Sequence, residues 1–308
     1  MRRPLRLGLV GLGKIARDQH LPAIAAHADI ELVAVATRNA RDEAFPIYHD
    51  IEAMLAAEDI DAVVMCQPPQ ARFEAARAAL LAGKHVFLEK PPGATLSEVE
   101  ALHSLAEQRA VTLFASWHSR EAAGVAVARD WLASRDIQSI SIKWKEDVRV
   151  WHPGQSWIWE PGGFGVFDPG INALSILTAA ITDPVRLVRA ELETPGNRHA
   201  PVAARLALVT TGGIPIDAEF DFLQTGRQSW DIAFETSQGS ALLADGGNRW
   251  FVNNNEQCLP PEQEYPALYR RFADLVQCGE RDVDLTPLRL VADAFLTGHN
   301  RIVEDFED

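Results

Sequence analysis

A chain of 308 residues exceeds one average domain of roughly 100–200 residues, and its 47% hydrophobic and 23% charged residues allow sizeable cores. A net charge of -14 repels nucleic acid and anionic membranes, so any phosphate it holds must be met by local donors, which points to a small ligand. Cys66, Cys258 and Cys278 are far apart, odd in number and lack a Cys-x-x-Cys pair, as expected of reduced thiols in the cytoplasm rather than a disulfide frame or zinc site.

The basic start Met1-Arg2-Arg3 and the apolar run after it have the texture of a signal peptide. Gly8, Gly11 and Gly13 break that run, however, and a strand followed by a glycine turn describes it better. No stretch of roughly 18 apolar residues exists, so no membrane-spanning helix is expected. Short, continuously apolar runs at 5–10, 31–37, 61–67, 85–89 and 111–115 read as strands covered on both faces. Helical patterns at 14–26, 50–58, 70–82 and 95–108 separate them, which implies right-handed βαβ units and a parallel sheet. After Trp117 the texture changes. A helical pattern at 121–133 leads into strictly alternating strands, first at 139–145 and then near 185–193, 203–211, 214–222, 229–236, 240–244 and 249–253. One helix at about 169–181 is inserted near the start of this largely antiparallel sheet, and helices at 266–278 and 286–298 close the chain. The expectation is therefore an α/β protein of two domains, 1–118 with a doubly wound parallel sheet and 119–308 with an open-faced sheet.

Gly11-Leu12-Gly13-Lys14-Ile15-Ala16 is a GxGxxA pattern between the first strand and the first helix. Gly11 permits the tight turn, Gly13 lets a pyrophosphate reach the backbone, and Ala16 keeps helix and sheet close. The helix start, with Lys14 and Ile15, offers free N–H groups to phosphate. At the end of the second strand Ala36-Thr37-Arg38-Asn39 carries no acid, and Thr37 with Arg38 suits a ribose 2′-phosphate, which favours NADP over NAD. Two further strand ends lie on the carboxyl edge where such sheets bind ligands, Cys66-Gln67-Pro68-Pro69 and Glu89-Lys90-Pro91-Pro92. A lysine beside an oxidised nicotinamide is suited to proton exchange, and its bond to Pro91 is a candidate cis peptide.

The stretch 144–172 is dense in aromatic and titratable groups. Glu146 shares a strand face with Ile140, Ile142 and Trp144, so it is a carboxylate turned toward an apolar layer and in need of partners. Asp168 before Pro169 reads as a helix N-cap, and Asn172 lies four residues on, on the same helical face. Trp144, Trp151, Trp157 and Trp159 suit either the apolar face of a sugar ring or a core. No HExxH or Cys/His spacing suggests a metal.

The GxGxxA start, Glu89-Lys90-Pro91 and the Gly-Gly run leading to Asp168-x-x-x-Asn172 resemble the glucose–fructose oxidoreductase/inositol dehydrogenase family over essentially the whole chain. Within it, Leu88–Thr95, Trp117–Arg120, Trp144–Val148 and Trp151–Asn172 are most similar to the sugar 1-dehydrogenases that act on D-galactose and L-arabinose. The resemblance implies a Rossmann domain joined to an open-faced domain that can serve in a homodimer. It implies Lys90, Glu146, Asp168 and Asn172 around the reacting carbon, and His118, Trp151, His152 and Trp230 lining a sugar pocket. The cofactor would lie against Gly11, Gly13, Lys14, Ile15, Thr37, Arg38, Gln67, Pro68, Glu89 and Lys90. Most of that family has a histidine where this chain has Asn172, and an amide takes up no proton, so another group must receive it. The activity so implied is oxidation of an aldopyranose at C1 to its lactone with NADP. Oxidation at another carbon of a sugar or cyclitol, and a non-catalytic NADP or sugar sensor, are the alternatives.

Overall fold

The computed structural model describes residues 3–38 and 45–307; Met1 and Arg2 of the basic start, and Asn39 of the strand-end motif, lie outside the described residues. In chain order the strands are β1 (Leu5–Val10), β2 (Ile30–Ala36), β3 (Ile47–Tyr48), β4 (Ala62–Met65), β5 (His85–Leu88), β6 (Leu113–Ala115), β7 (Ile137–Lys145), β8 (Val185–Pro195), β9 (Ala203–Thr210), β10 (Pro215–Asp221), β11 (Ser229–Thr236), β12 (Gly239–Ala244), β13 (Arg249–Val252), β14 (Asn255–Gln257) and β15 (His299–Val303). The α-helices are α1 (Leu21–Ala25), α2 (Ile51–Ala57), α3 (Arg72–Leu81), α4 (Leu96–Arg109), α5 (Val125–Leu132), α6 (Val148–Trp151), α7 (Phe167–Ala180), α8 (Glu264–Cys278) and α9 (Thr286–Thr297).

The chain forms two compact units, Met1–His118 with Tyr265–Leu285, and Ser119–Glu264 with Thr286–Asp308. The first holds a parallel sheet in the order β3-β2-β1-β4-β5-β6, a doubly wound Rossmann arrangement. Strand order reverses between β1 and β4, so a crevice opens at their carboxyl ends. Leu7, Leu9, Val64, Phe87 and Phe114 are almost wholly buried, as continuous apolar strands demand. The chain returns to this unit through α8, whose Tyr265, Leu268, Tyr269, Phe272 and Leu275 pack into the same core. Each such side chain stabilises by about 1.5–3 kcal/mol when fully buried, so α8 is integral to the unit.

The single helix expected over 14–26 has a wider first turn, Ala16–His20 in π geometry, before α1. Leu21 donates its N–H five residues back to the Ala16 carbonyl, and Pro22 has no N–H for the next bond. His20 is fully buried as a result.

The second unit is built on a nine-stranded sheet in the order β14-β13-β12-β11-β7-β10-β9-β8-β15. β7 with β10 and β8 with β15 run parallel, and the other neighbouring pairs are antiparallel. Alternation along β7, β9, β10 and β11 buries one face, on which α7 and α9 pack, and leaves the other open. The short strands β3, β14 and β15 were not expected; β14 and β15 are exposed edge strands and lack an apolar signal.

Candidate active site

In the first unit a cleft of about 470 Å³ runs along the carboxyl ends of β1, β2 and β4. Gly11, Gly13, Thr37, Arg38, Gln67 and Pro68 line it, bringing together most of the residues expected to hold a dinucleotide. Gly11 has φ 92°, and a Cβ there would stand 2.7 Å from the Gln67 backbone nitrogen, so only glycine fits. A Cβ on Gly13 would meet nothing within 4 Å, which leaves its backbone open to a ligand. These features fit a bound pyrophosphate. Lys14 is turned to an ion pair with Asp18, and the Ile15 side chain is exposed; neither lines the cleft.

At the adenosine end, sequence reasoning missed His49 and Asp50, which line the cleft with Arg38. Asp50 caps α2 by accepting from the Ala53 N–H at 2.8 Å, and this bond, with the charges of His49 and Arg38, holds its carboxyl below the usual range.

Glu89 and Lys90 part company at the end of β5. Lys90 is half-buried and joined to Pro91 by a cis bond. The Glu89 side chain turns inward instead of lining the cleft: it is 2% exposed, accepts from the Tyr265 hydroxyl at 2.7 Å and lies 3.4 Å from His20 Nε2. Burial alone would push this carboxyl up, but the neighbouring His20 imidazolium, with the charges of His118 and Lys90, holds it at about 2. Burial opposes the charged form of His20 in turn, yet the facing Cys66 sulfur and Glu89 carboxylate raise it to about 9. His118 is half-buried and stacks on Tyr265 with ring centres 5.4 Å apart. Arg72, also missed, is buried and ties the two loops by donating to the carbonyls of Gln67, Glu89 and Pro91.

In the second unit, Glu146 follows β7 into a buried position and does not swing into solvent. One carboxylate oxygen lies 3.0 Å from His152 Nε2, and the other accepts from the Trp230 indole N–H at 2.8 Å. The opposite ring nitrogen of His152 lies 3.6 Å from the Asp168 carboxylate. A histidine thus stands between two buried carboxylates. Trp151 crosses Trp230 edge to face at 5.3 Å and donates its indole N–H to Gln228. Trp144 and Trp159 are core residues.

Asp168 does not cap its helix. α7 begins two residues earlier than that reading requires, with Val166 as N-cap and Pro169 in the third helical position, because Phe167 and Asp168 already donate to the carbonyls of Phe164 and Gly165. As a second-position residue Asp168 is favoured by the positive end of the helix, and its carboxylate faces His152. Asn172 lies one turn on, half-buried. Among the described residues no group of three or more His, Cys, Asp or Glu could hold a metal ion. A second cleft of about 490 Å³ lies between β10, β9, β8 and the segment 303–307, and none of the expected site residues lines it.

The model of the Gfo/Idh/MocA oxidoreductase family, NAD-binding Rossmann fold, matches residues 5–116. A galactose 1-dehydrogenase from Pseudomonas fluorescens is 45% identical over 307 residues, covering 99% of this chain and 100% of that protein. The crystal structure of a D-galactose-1-dehydrogenase protein from Rhizobium etli is 55% identical with a TM-score of 0.96, covering 100% of this chain and 99% of that one. A 3-ketoreductase from Actinomadura kijaniata, in complex with NADP and TDP-benzene, shares the fold with a TM-score of 0.85 at 20% identity, covering 98% of this chain and 100% of that one.

Proposed function

The chain belongs to the Gfo/Idh/MocA oxidoreductase family, and from that membership we propose that it oxidises an aldopyranose, D-galactose or L-arabinose, at C1 to the aldonolactone with NADP. The observation that carries the reading is the Glu146–His152–Asp168 cluster with Trp230 and Trp151 beside it: fixed carboxylates for ring hydroxyls and indole faces for the C–H side of a pyranose. The names of the two galactose 1-dehydrogenases, similar over the full chain, support the same substrate class.

Gly11 and Gly13 hold the pyrophosphate, and Thr37 and Arg38 the 2′-phosphate. Asp50 lines the cleft with Arg38, but its side chain already caps α2 and is engaged there, which favours NADP over NAD. When bound, the nicotinamide supplies the acceptor for the hydride from C1. The ring oxygen's lone pair stabilises the positive charge that develops there. The remaining task is proton removal from the anomeric hydroxyl. Lys90 orients and polarises that hydroxyl, and Asp168 receives its proton, directly or through Lys90; such placed groups contribute roughly 10²–10⁴-fold. His152 holds the Asp168 and Glu146 carboxylates apart, while Glu146 and Asn172 fix ring hydroxyls. D-Galactose and L-arabinose share configuration at C2, C3 and C4, so one pocket takes both.

The open sheet face, which bears Lys143, Arg205, Asp217, Glu219 and Asp231, supports a homodimer formed through this surface. The free cysteines Cys66, Cys258 and Cys278 support a reducing compartment, the cytoplasm, as its location. No helix of the described residues is long and apolar enough to cross a membrane.

Initial rates for galactose, arabinose, fucose, xylose and glucose, and for 1-O-methyl galactoside, with NADP and with NAD, test the reading. Galactose and arabinose should lead, and the methyl galactoside should be inert because it lacks the anomeric hydroxyl. Turnover of the methyl galactoside would move the reaction to another carbon, and cofactor binding without turnover of any sugar would make the protein a sensor.

A further inference from the structure

Below the loop that carries Lys90, the first unit contains a buried charge pair that the reaction as described does not use. His20 is fully buried, with Nδ1 2.8 Å from the Tyr269 hydroxyl and Nε2 3.4 Å from Glu89. Glu89 has the Tyr265 hydroxyl at 2.7 Å on the same oxygen. Four elements converge on the pair: the wide turn 16–20 brings His20, the end of β5 brings Glu89, α8 brings Tyr265 and Tyr269, and the end of β4 brings Cys66. The titratable groups that face Glu89 are His20, His118 and Lys90, and those that face His20 are Cys66 and Glu89. Aromatic edges fill the rest, from Phe87 at 5.8 Å and Tyr265 at 4.9 Å.

An ionised carboxylate in an apolar site needs a counter-charge, because desolvation otherwise drives it to take up a proton. We propose that His20 is a positioning residue: its imidazolium keeps Glu89 ionised, and the Glu89 carboxylate, one peptide from Lys90, fixes the place and electrostatic surroundings of the reacting amine. Arg72 fastens the backbone carbonyls on both sides of Lys90, so the lysine is held by its backbone from one side and by charge from the other. The π turn serves this arrangement, since it places the imidazole inside the core. The inference rests on the proposed role of Lys90.

Four proteins test it, each assayed with NADP and galactose: wild type, His20→Gln, His20→Gln with Glu89→Gln, and Lys90→Met. His20→Gln should lower kcat about 10²-fold, the usual cost of a small misplacement of a reacting group, with KM for galactose and Kd for NADP within about threefold. It should also lower Tm, because it strands a buried carboxylate, and the double variant should regain Tm since both charges are gone. The double variant should not regain kcat. A merely structural pair would recover both together, and that recovery overturns the proposal. Wild-type kcat should fall above about pH 9 as His20 loses its proton, a limb read without any variant; a rate level to pH 10 overturns the proposal as well. An active Lys90→Met removes the premise, whereas an inactive Lys90→Met beside a fully active His20→Gln removes only the role of His20.

Discussion

Arg38 and Asp168 bear on the two chemical tasks separately. A charge-assisted bond to phosphate is worth about 1.5–3 kcal/mol, so Arg38→Ala should raise KM for NADP roughly 10- to 100-fold and leave that for NAD within about twofold. Steady-state kinetics with both cofactors check this, and equal changes would displace the 2′-phosphate from Arg38. Asp168→Asn keeps shape and removes the proposed proton acceptor, so kcat should fall about 10²–10⁴-fold while near-ultraviolet circular dichroism stays unchanged. The buried pair sets the pH range of stability. His20, raised to about 9 from 6.5, adds stability that is complete below 6.5 and lost as pH climbs through 9. Glu89, lowered to about 2 from 4.5, adds stability that is complete above 4.5 and lost as pH falls toward 2. Tm should therefore be highest between about pH 4.5 and 6.5 as far as this pair decides it, and calorimetry across pH 3–10 in wild type and His20→Gln measures its share.

Among the elements, the βαβ frame and the glycine turn are legible because each depends on local signals: continuous apolar strands, helices of regular spacing, and a glycine where φ is positive. Gly11→Ala should cost about 1–3 kcal/mol in stability and weaken cofactor binding, since the added Cβ stands 2.7 Å from backbone; thermal melts with and without NADP read both effects. The inward turn of His20 was not legible, because Pro22 reads locally as a helix start and its effect on the preceding bond appears only in three dimensions. Glu89 sits in a recognised motif, yet its partner Tyr265, and Tyr269 that holds His20, lie on the distant α8, whose pattern shows an amphipathic helix and not its destination. Arg72 likewise reads as one more helix arginine. Asp168 was legible as a residue at a helix start, but the cap belonged to Val166, a residue without capping chemistry. The Glu146–His152–Asp168 cluster was foreshadowed by its density of titratable groups, while the central place of His152 needed the fold.

At the scale of the molecule, one unit supplies a dinucleotide cleft and Lys90, and the other a histidine flanked by carboxylates and indoles. The proposed dimer predicts that wild type sediments as two chains, and that Ala233→Arg, on the open face of β11, sediments as one while remaining folded. The proposed reaction requires that a hydride leave the anomeric carbon. D-Galactose bearing deuterium at C1, incubated with the protein and NADP, puts that claim to the test by mass spectrometry of the nicotinamide. The account predicts one deuterium in the reduced cofactor and none at C1 of the lactone. Deuterium retained at C1 while the cofactor is reduced would contradict it.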